Sequence, residues 1–148
     1  MPGTLGLVSL SRLKNVPTTD YDKRLFTVRE PKSVDYKKYG LIHTPQLSPS
    51  PALFESFHKR WKYGKFTPEE QRQMDAIPDG TWWNLYAPRF LYEMEARTDM
   101  QKALTRVEEL LNQGEDVLFI CFCTDETHCH RGMLGDSFRK KGYDVKSY

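Results

Sequence analysis

All three cysteines and two of the four histidines of this 148-residue chain fall in one short stretch, Cys121-Phe122-Cys123-Thr124-Asp125-Glu126-Thr127-His128-Cys129-His130-Arg131. These residue types carry chemistry. A thiolate is a strong nucleophile, imidazole moves protons near neutral pH, and the planar fork of arginine grips phosphate or carboxylate at two points. One chemistry that fits is action on an anion. Arg131 and the free amides of a helix start would hold it, Cys129 or His130 would serve as nucleophile or general base, and Asp125 would tune the histidine. Cys123, His128 and Tyr86 are expected to line the ligand, and a position at a helix start beside a cation is expected to leave Cys129 exposed and ionised. Neither Cys123 nor Cys129 stands at the cysteine-phosphatase distance from Arg131, which excludes that mechanism. A second chemistry is zinc binding by Cys121, Cys123, Cys129 and one of His128 or His130, whose ligand types suit a structural site. The paired C-x-x-C knuckles of the common zinc folds are missing, so no metal ligand is assigned and zinc stays an alternative. The plain account is core filling by Cys121 and a hydrogen-bonded loop made by His128-Cys129-His130-Arg131.

Such groups need a frame. Val117 to Cys123 is apolar at every position and rich in β-branched and aromatic residues, the pattern of a central parallel strand covered on both faces. Strand side chains alternate, so Cys121 and Cys123 should share one face and Phe122 the other. From about His128 a helical pattern begins, with His130, Leu134 and Phe138 on one stripe and Gly142 placed to end it. The cluster therefore sits at a strand-loop-helix junction, at the carboxyl end of a strand where open α/β sheets bind ligands.

An apolar strand ending in cysteine, a short acidic loop and Cys-His-Arg opening a helix resembles the signature of the domain-of-unknown-function family 488 of bacteria and phages. The matching residues are Val117 to Cys121, Asp125 and Cys129-His130-Arg131, with weaker likeness in Leu47-Ser48-Pro49-Ser50 and in Tyr86-Ala87-Pro88-Arg89-Phe90-Leu91. The resemblance implies a small α/β fold with its site at the Cys-His-Arg turn, and it names no reaction. Cys123 and His128 stand outside the signature, so it gives them no role.

The rest of the chain sets limits. Its length suits one domain, and no apolar run approaches the ~20 residues that span a bilayer. A cytoplasmic protein is expected, because three cysteines cannot all pair within one chain and crowded free thiols suit a reducing compartment. Charge is uneven: residues 1–66 carry 12 Lys or Arg against 5 Asp or Glu, and residues 67–148 carry 10 against 15. In His58-Lys59-Arg60-Trp61-Lys62-Tyr63-Gly64-Lys65-Phe66 cations alternate with rings, as in single-strand nucleic-acid grips. The simpler reading is a helix with Leu53, Phe54, Phe57 and Trp61 inward and Lys59, Arg60 and Lys62 in water. Strands are predicted at Leu5 to Leu13, Leu25 to Val28 and Tyr143 to Val145, and a long irregular loop over 29–50. Helices should start at Ser50-Pro51, at the capping box Thr67-Pro68-Glu69-Glu70 and at a second box Thr98-Asp99-Met100-Gln101. The aromatic tract Trp82 to Tyr92 should be mostly core, with Trp83 or Tyr86 able to stack on a planar base and Pro88 starting or kinking a helix.

The sequence thus predicts an α/β fold, a single Rossmann-like domain over 1–148 with a mostly parallel sheet and a helical insertion over 51–97. It should bind an anionic small molecule, a nucleotide or nucleic-acid component, at the Cys-His-Arg turn and act on it as a Cys/His-dependent hydrolase or transferase. The other class is a silent interaction module for nucleic acid or protein, with zinc or hydrogen bonds fixing the loop. No cofactor other than zinc is expected.

Overall fold

The computed structural model describes residues 1–17, 19–32 and 34–148. Five strands, β1 (Thr4–Ser9), β2 (Lys23–Phe26), β3 (Ile42–His43), β4 (Val117–Cys121) and β5 (Asp144–Ser147), form one sheet in the order β3-β2-β4-β1-β5. Every pairing is parallel, with Ser9 opposite Cys121 and Phe26 opposite Ile120. This is a Rossmann-like α/β fold. β4 is buried along its whole length, as its unbroken apolar run demands.

The two faces of the sheet are covered differently. Leu5, Leu7, Leu25, Val117 and Phe119 pack beneath α4 (Trp83–Ala96), α5 (Thr98–Asn112) and α6 (His130–Lys140), where Phe90, Met100, Leu111, Leu134 and Phe138 complete the larger core. Val8, Phe26, Leu118 and Ile120 face Leu13, Val16, Tyr21, Val28 and Leu41, the first from a short 3₁₀ helix and the others from loops. Each fully buried side chain of this size contributes about 1.5–3 kcal/mol, so both faces hold the sheet. The connections leaving β1 and β2 thus run over one face while α6, leaving β4, runs over the other. Crevices open at the carboxyl end of β4 on both sides for that reason.

Several elements differ from the sequence expectation. β1 stops at Ser9, and Leu10–Asn15 turns into a 3₁₀ helix that lays Leu13 on the sheet. The stretch expected to be an irregular loop contains 3₁₀ turns at Tyr36–Tyr39 and Pro45–Leu47 and the edge strand β3, which at two residues is too short to show a period. The helix from Ser50 forms with the expected cap, the Ser50 hydroxyl accepting from Leu53 N at 3.1 Å. It is α-helical only at α1 (Pro51–Leu53) and α2 (Lys59–Lys62), with a π-helical segment, Phe54–His58, between them. Gly64, at φ 71°, ends it as expected.

α3 (Pro68–Asp75) has the full capping box of Thr67 and Glu70, and Arg60 grips the Glu70 carboxylate at 2.6 and 2.8 Å. The second capping box does not form. α5 starts with Arg97 as its cap, and the Gln101 amide donates to the Met94 carbonyl instead of turning back on Thr98. The Arg97 side chain is held by Ser48 O at 2.7 Å and by Glu93 and Asp99, and the helix starts one residue before the expected position. Pro88 lies inside α4, a kink position rather than a start. Among the described residues no helix is long and apolar enough to cross a membrane.

Candidate functional site

Beyond β4 the chain runs through Phe122 and Cys123 into a 3₁₀ turn, Glu126–His128, and reaches α6 through Cys129, whose extended backbone is the helix cap. Asp125 builds the turn by accepting from Thr127 N at 3.0 Å and from the Thr127 hydroxyl at 2.6 Å. Two glycines seat α6. A Cβ at Gly132 would strike the Glu126 carbonyl, and one at Gly135 would strike Leu7, so the helix start lies tight against loop and sheet.

That seating brings the three sulfurs within 4.8 Å of one another, with Cys121 and Cys129 at 2.8 Å. Arg131 lies beneath them, 1% exposed. Its Nη1 donates to Cys121 Sγ at 3.2 Å, to Cys129 Sγ at 3.4 Å and to the Cys123 carbonyl. The expected exposed anion grip is therefore turned inward, since the tight approach of α6 leaves the guanidinium no path to solvent at that end.

Charge within the trio is not shared evenly. Burial pushes the Cys121 thiol up to about 11 and Cys129 well above its usual value. Cys123 goes the other way, because hydrogen bonds from Cys121 and then from Cys129 stabilise its thiolate. Cys129, expected to be exposed and ionised, is 2% exposed, and the desolvation of its sulfur outweighs its place at a helix start. Of the three, the half-buried Cys123 is the one whose neighbours favour the thiolate.

Cys123 faces a small cavity of about 90 Å³ on the β2 side of β4. His130, His58, Tyr86, Phe54 and Phe122 form its walls, and Arg29, Lys32 and Lys62 bring positive charge to it. His130 holds the Thr27 carbonyl through Nε2 at 2.6 Å, which leaves Nδ1 as the lone-pair nitrogen, 3.9 Å from Cys129 Sγ. Burial lowers the pKa of His130 and takes that of His58 down to about 4, so both rings are neutral near pH 7. The Nδ1 atom of His58 is buried with no hydrogen-bond partner. Tyr86 is 1% exposed, stacked on Phe90, and burial raises its phenol well above the usual range.

Asp125 and His128 lie elsewhere. The Asp125 carboxylate meets His128 Nδ1 at 2.8 Å and is held at about 2 by Thr127 first and His128 second. Asp125 thus orients His128 and makes no bond to His130: the 3₁₀ turn brings residues three apart together, while the extended Cys129 sends the next histidine inward. His128 packs edge-on against Trp83 at 5.5 Å. On this side of β4 lies an open depression of about 510 Å³ whose lining includes Arg12, Asp125, Glu126 and Arg131.

The structure brings Cys123, His130 and Tyr86 to one cavity, places Cys129 and Arg131 behind it, and sets Asp125 and His128 apart. Sequence reasoning missed His58, Arg29, Lys32 and Lys62. The signal was present in the interleaved cations and rings around His58, which read as a solvated face. A metal has three sulfurs to meet here, and no imidazole or carboxylate joins that group among the described residues. Tetrahedral zinc with bonds of ~2.3 Å needs its sulfurs about 3.8 Å apart. Cys121 and Cys129 are closer than that, and Arg131 already supplies a cation to both.

A family model described as the active DUF488-N3 subclade, DUF488-N3a, matches residues 8–142. The chain belongs to the DUF488 family, in agreement with the resemblance carried by its strand, acidic loop and Cys-His-Arg turn. No curated protein and no solved structure matches it.

Proposed function

We propose that this DUF488 member is an enzyme in which the Cys123 thiolate attacks an anionic small molecule, a nucleotide or a nucleic-acid component, as a hydrolase or transferase. The observation that carries the reading is the opening of a half-buried sulfur, whose neighbours favour its thiolate, onto a cavity bearing three cations. Arg29, Lys32 and Lys62 would hold phosphate, and Phe54, Tyr86 and Phe122 would flank a planar ring. A cavity of about 90 Å³ admits one group of a ligand, well below the ~300 Å³ that encloses a whole drug-sized molecule. The reacting group enters and the remainder lies across the mouth.

In this scheme Cys123 forms a covalent bond to the substrate and the leaving group departs. His58, neutral and with a free buried nitrogen, takes the proton of the water or acceptor that then displaces the sulfur. Cys121, Cys129 and Arg131 position the thiolate. The word active in the subclade's description favours an enzyme over a silent module. The nucleic-acid grip at 58–66 has less support, since Lys59 pairs with Glu55 and Arg60 with Glu70.

The test is iodoacetamide labelling at pH 6 with and without nucleoside monophosphates or inorganic phosphate. Cys123 should be labelled first, and a bound anion should protect it. Labelling confined to Cys121 or Cys129, or no protection by any anion, would overturn the reading. A second reading, a zinc-fixed interaction module, draws on the convergence of three sulfurs. Stoichiometric zinc in protein purified without chelator, with Cys123 inert to alkylation, would establish it.

A further inference from the structure

We propose that the cysteine trio is a peroxide-responsive site, in which Cys123 is oxidised by a hydroperoxide and Cys129 closes on it as an intramolecular disulfide. This rests on Cys123 being the reactive thiol and supplies the regulation of that site.

Access selects the first sulfur. Cys123 alone of the three reaches the cavity, which has room for a hydroperoxide group, while Cys121 and Cys129 are 0% and 2% exposed. Geometry selects the second. Both partner sulfurs lie within 4.8 Å of that of Cys123, but Cys121 otherwise hydrogen-bonds only with Cys129 and Arg131 among the described residues, neither of which can take its proton, whereas Cys129 has the lone-pair nitrogen of His130 beside it at 3.9 Å. Cys129 comes from the facing helix start, and its sulfur lies within 4.8 Å of that of Cys123. Approach from an opposed element lets the two Cβ atoms converge.

The steps balance. The Cys123 thiolate attacks the outer oxygen of the hydroperoxide, the O–O bond breaks, and the alkoxide or hydroxide released takes a proton from solvent. Sulfur loses two electrons and becomes the sulfenic acid. Cys129 then gives its proton towards His130 Nδ1, the lone-pair nitrogen 3.9 Å away. Its sulfur attacks that of Cys123, the S–S bond forms, the S–O bond breaks, and the hydroxide leaves as water with that proton. Arg131 Nη1, 3.4 Å from Cys129 Sγ, stabilises the thiolate as it develops. Two thiols and one hydroperoxide give one disulfide, one alcohol or water, and one further water. A small dithiol reverses the change by exchange.

The experiment treats the reduced full chain with a small excess of hydrogen peroxide at pH 7, blocks remaining thiols with iodoacetamide, and maps non-reduced fragments. Cleavage at Asp125 or Glu126 separates Cys129 from the other two. A Cys123–Cys129 link with the loss of two hydrogens, reversed by dithiothreitol, is expected. In Cys129→Ser and Cys129→Ala the oxidised Cys123 should persist long enough to be trapped by dimedone and should pass on to sulfinic acid. A Cys121–Cys129 link, or wild-type Cys123 going directly to sulfinic acid, would overturn the inference. So would Cys123 that takes iodoacetamide and ignores peroxide. If instead iodoacetamide fails to label Cys123 in untreated protein, the proposed function falls, and the two failures are told apart on the same sample.

Discussion

Two crevices flank the carboxyl end of β4, and they share a strand, a loop and a helix start. On the β2 side the opening is small and closed over by the π-helical segment, α2 and α4, with Arg29, Lys32 and Lys62 around the half-buried Cys123. On the β1 side it is broad and open, and Asp125 and Glu126 set carboxylates beside Arg12 and the edge of Arg131. Sheet topology makes both crevices equally eligible as a site. The covering elements make the choice, because a desolvated, cationic enclosure strengthens attraction for an anion while an open, mixed-charge one leaves it to water.

The largest expected difference between the two sides is in thiol reactivity. Cys123→Ser should lower iodoacetamide incorporation at pH 6 by about 100-fold or more, whereas Asp125→Asn should leave it within about twofold. Labelling that survives the first change or collapses with the second would move the reactive centre across β4. Arg131 underlies both crevices and should matter for stability. Arg131→Ala strips donors from two buried sulfurs and a carbonyl and leaves a void, a loss of about 2–4 kcal/mol by urea unfolding, with roughly half that for Arg131→Lys. An unchanged midpoint would mean that the guanidinium belongs to the open side.

A pH series separates the sides further. The folded pKa values of His58 and His130 lie below the unfolded value of about 6.5. The unfolded chain therefore takes up protons first, and the stability these rings confer is full above about pH 6.5 and is lost as pH falls towards 4. Tm should decline over that interval, before the depressed carboxylates of Glu70 and Asp125, both at about 2, begin to protonate. His58→Gln should flatten part of the decline; a Tm that stays level would place the ring in water. The smallest effect is expected from single cations. Lys62→Ala should weaken phosphate or nucleoside monophosphate binding by about two- to fivefold in low salt, and Arg12→Ala, on the open side, should leave the affinity unchanged. Equal losses would make the two crevices one binding surface.

What could be read from the residues alone followed from period. The apolar run of β4 and the His130, Leu134, Phe138 stripe each repeat with one spacing, and both elements form, although the strand ends at Cys121, two residues short of the expected Cys123, and the helix opens at His130 rather than His128. The thiol whose neighbours favour ionisation was not legible, because it depends on which sulfur the packing of α6 seals, and helix position alone pointed to Cys129. The pairing of Asp125 with His128 depended on a single turn of 3₁₀ geometry. β3 carried too few residues to have a period, and the second capping box failed because Arg97 had stronger partners. Loss of regularity hid His58 as well, since its cavity side is set by the interruption of its helix.

That interruption also acts as a phase shifter. In an α-helix each residue turns the chain by about 100°, and a π-helical stretch accommodates one residue more within a turn. Removing one residue from Phe54–His58 would restore the ordinary pitch with everything downstream still in phase, whereas straightening the segment at its present length would rotate everything downstream by that angle. Trp61, 1% exposed, would leave the core as Lys62 left the cavity mouth. The pitch of this short segment is therefore coupled to the charge of the enclosure. A relative one residue shorter here, with an unbroken α-helix, would keep Trp61 in the core and a cation at the entrance, and one of equal length without the interruption would not.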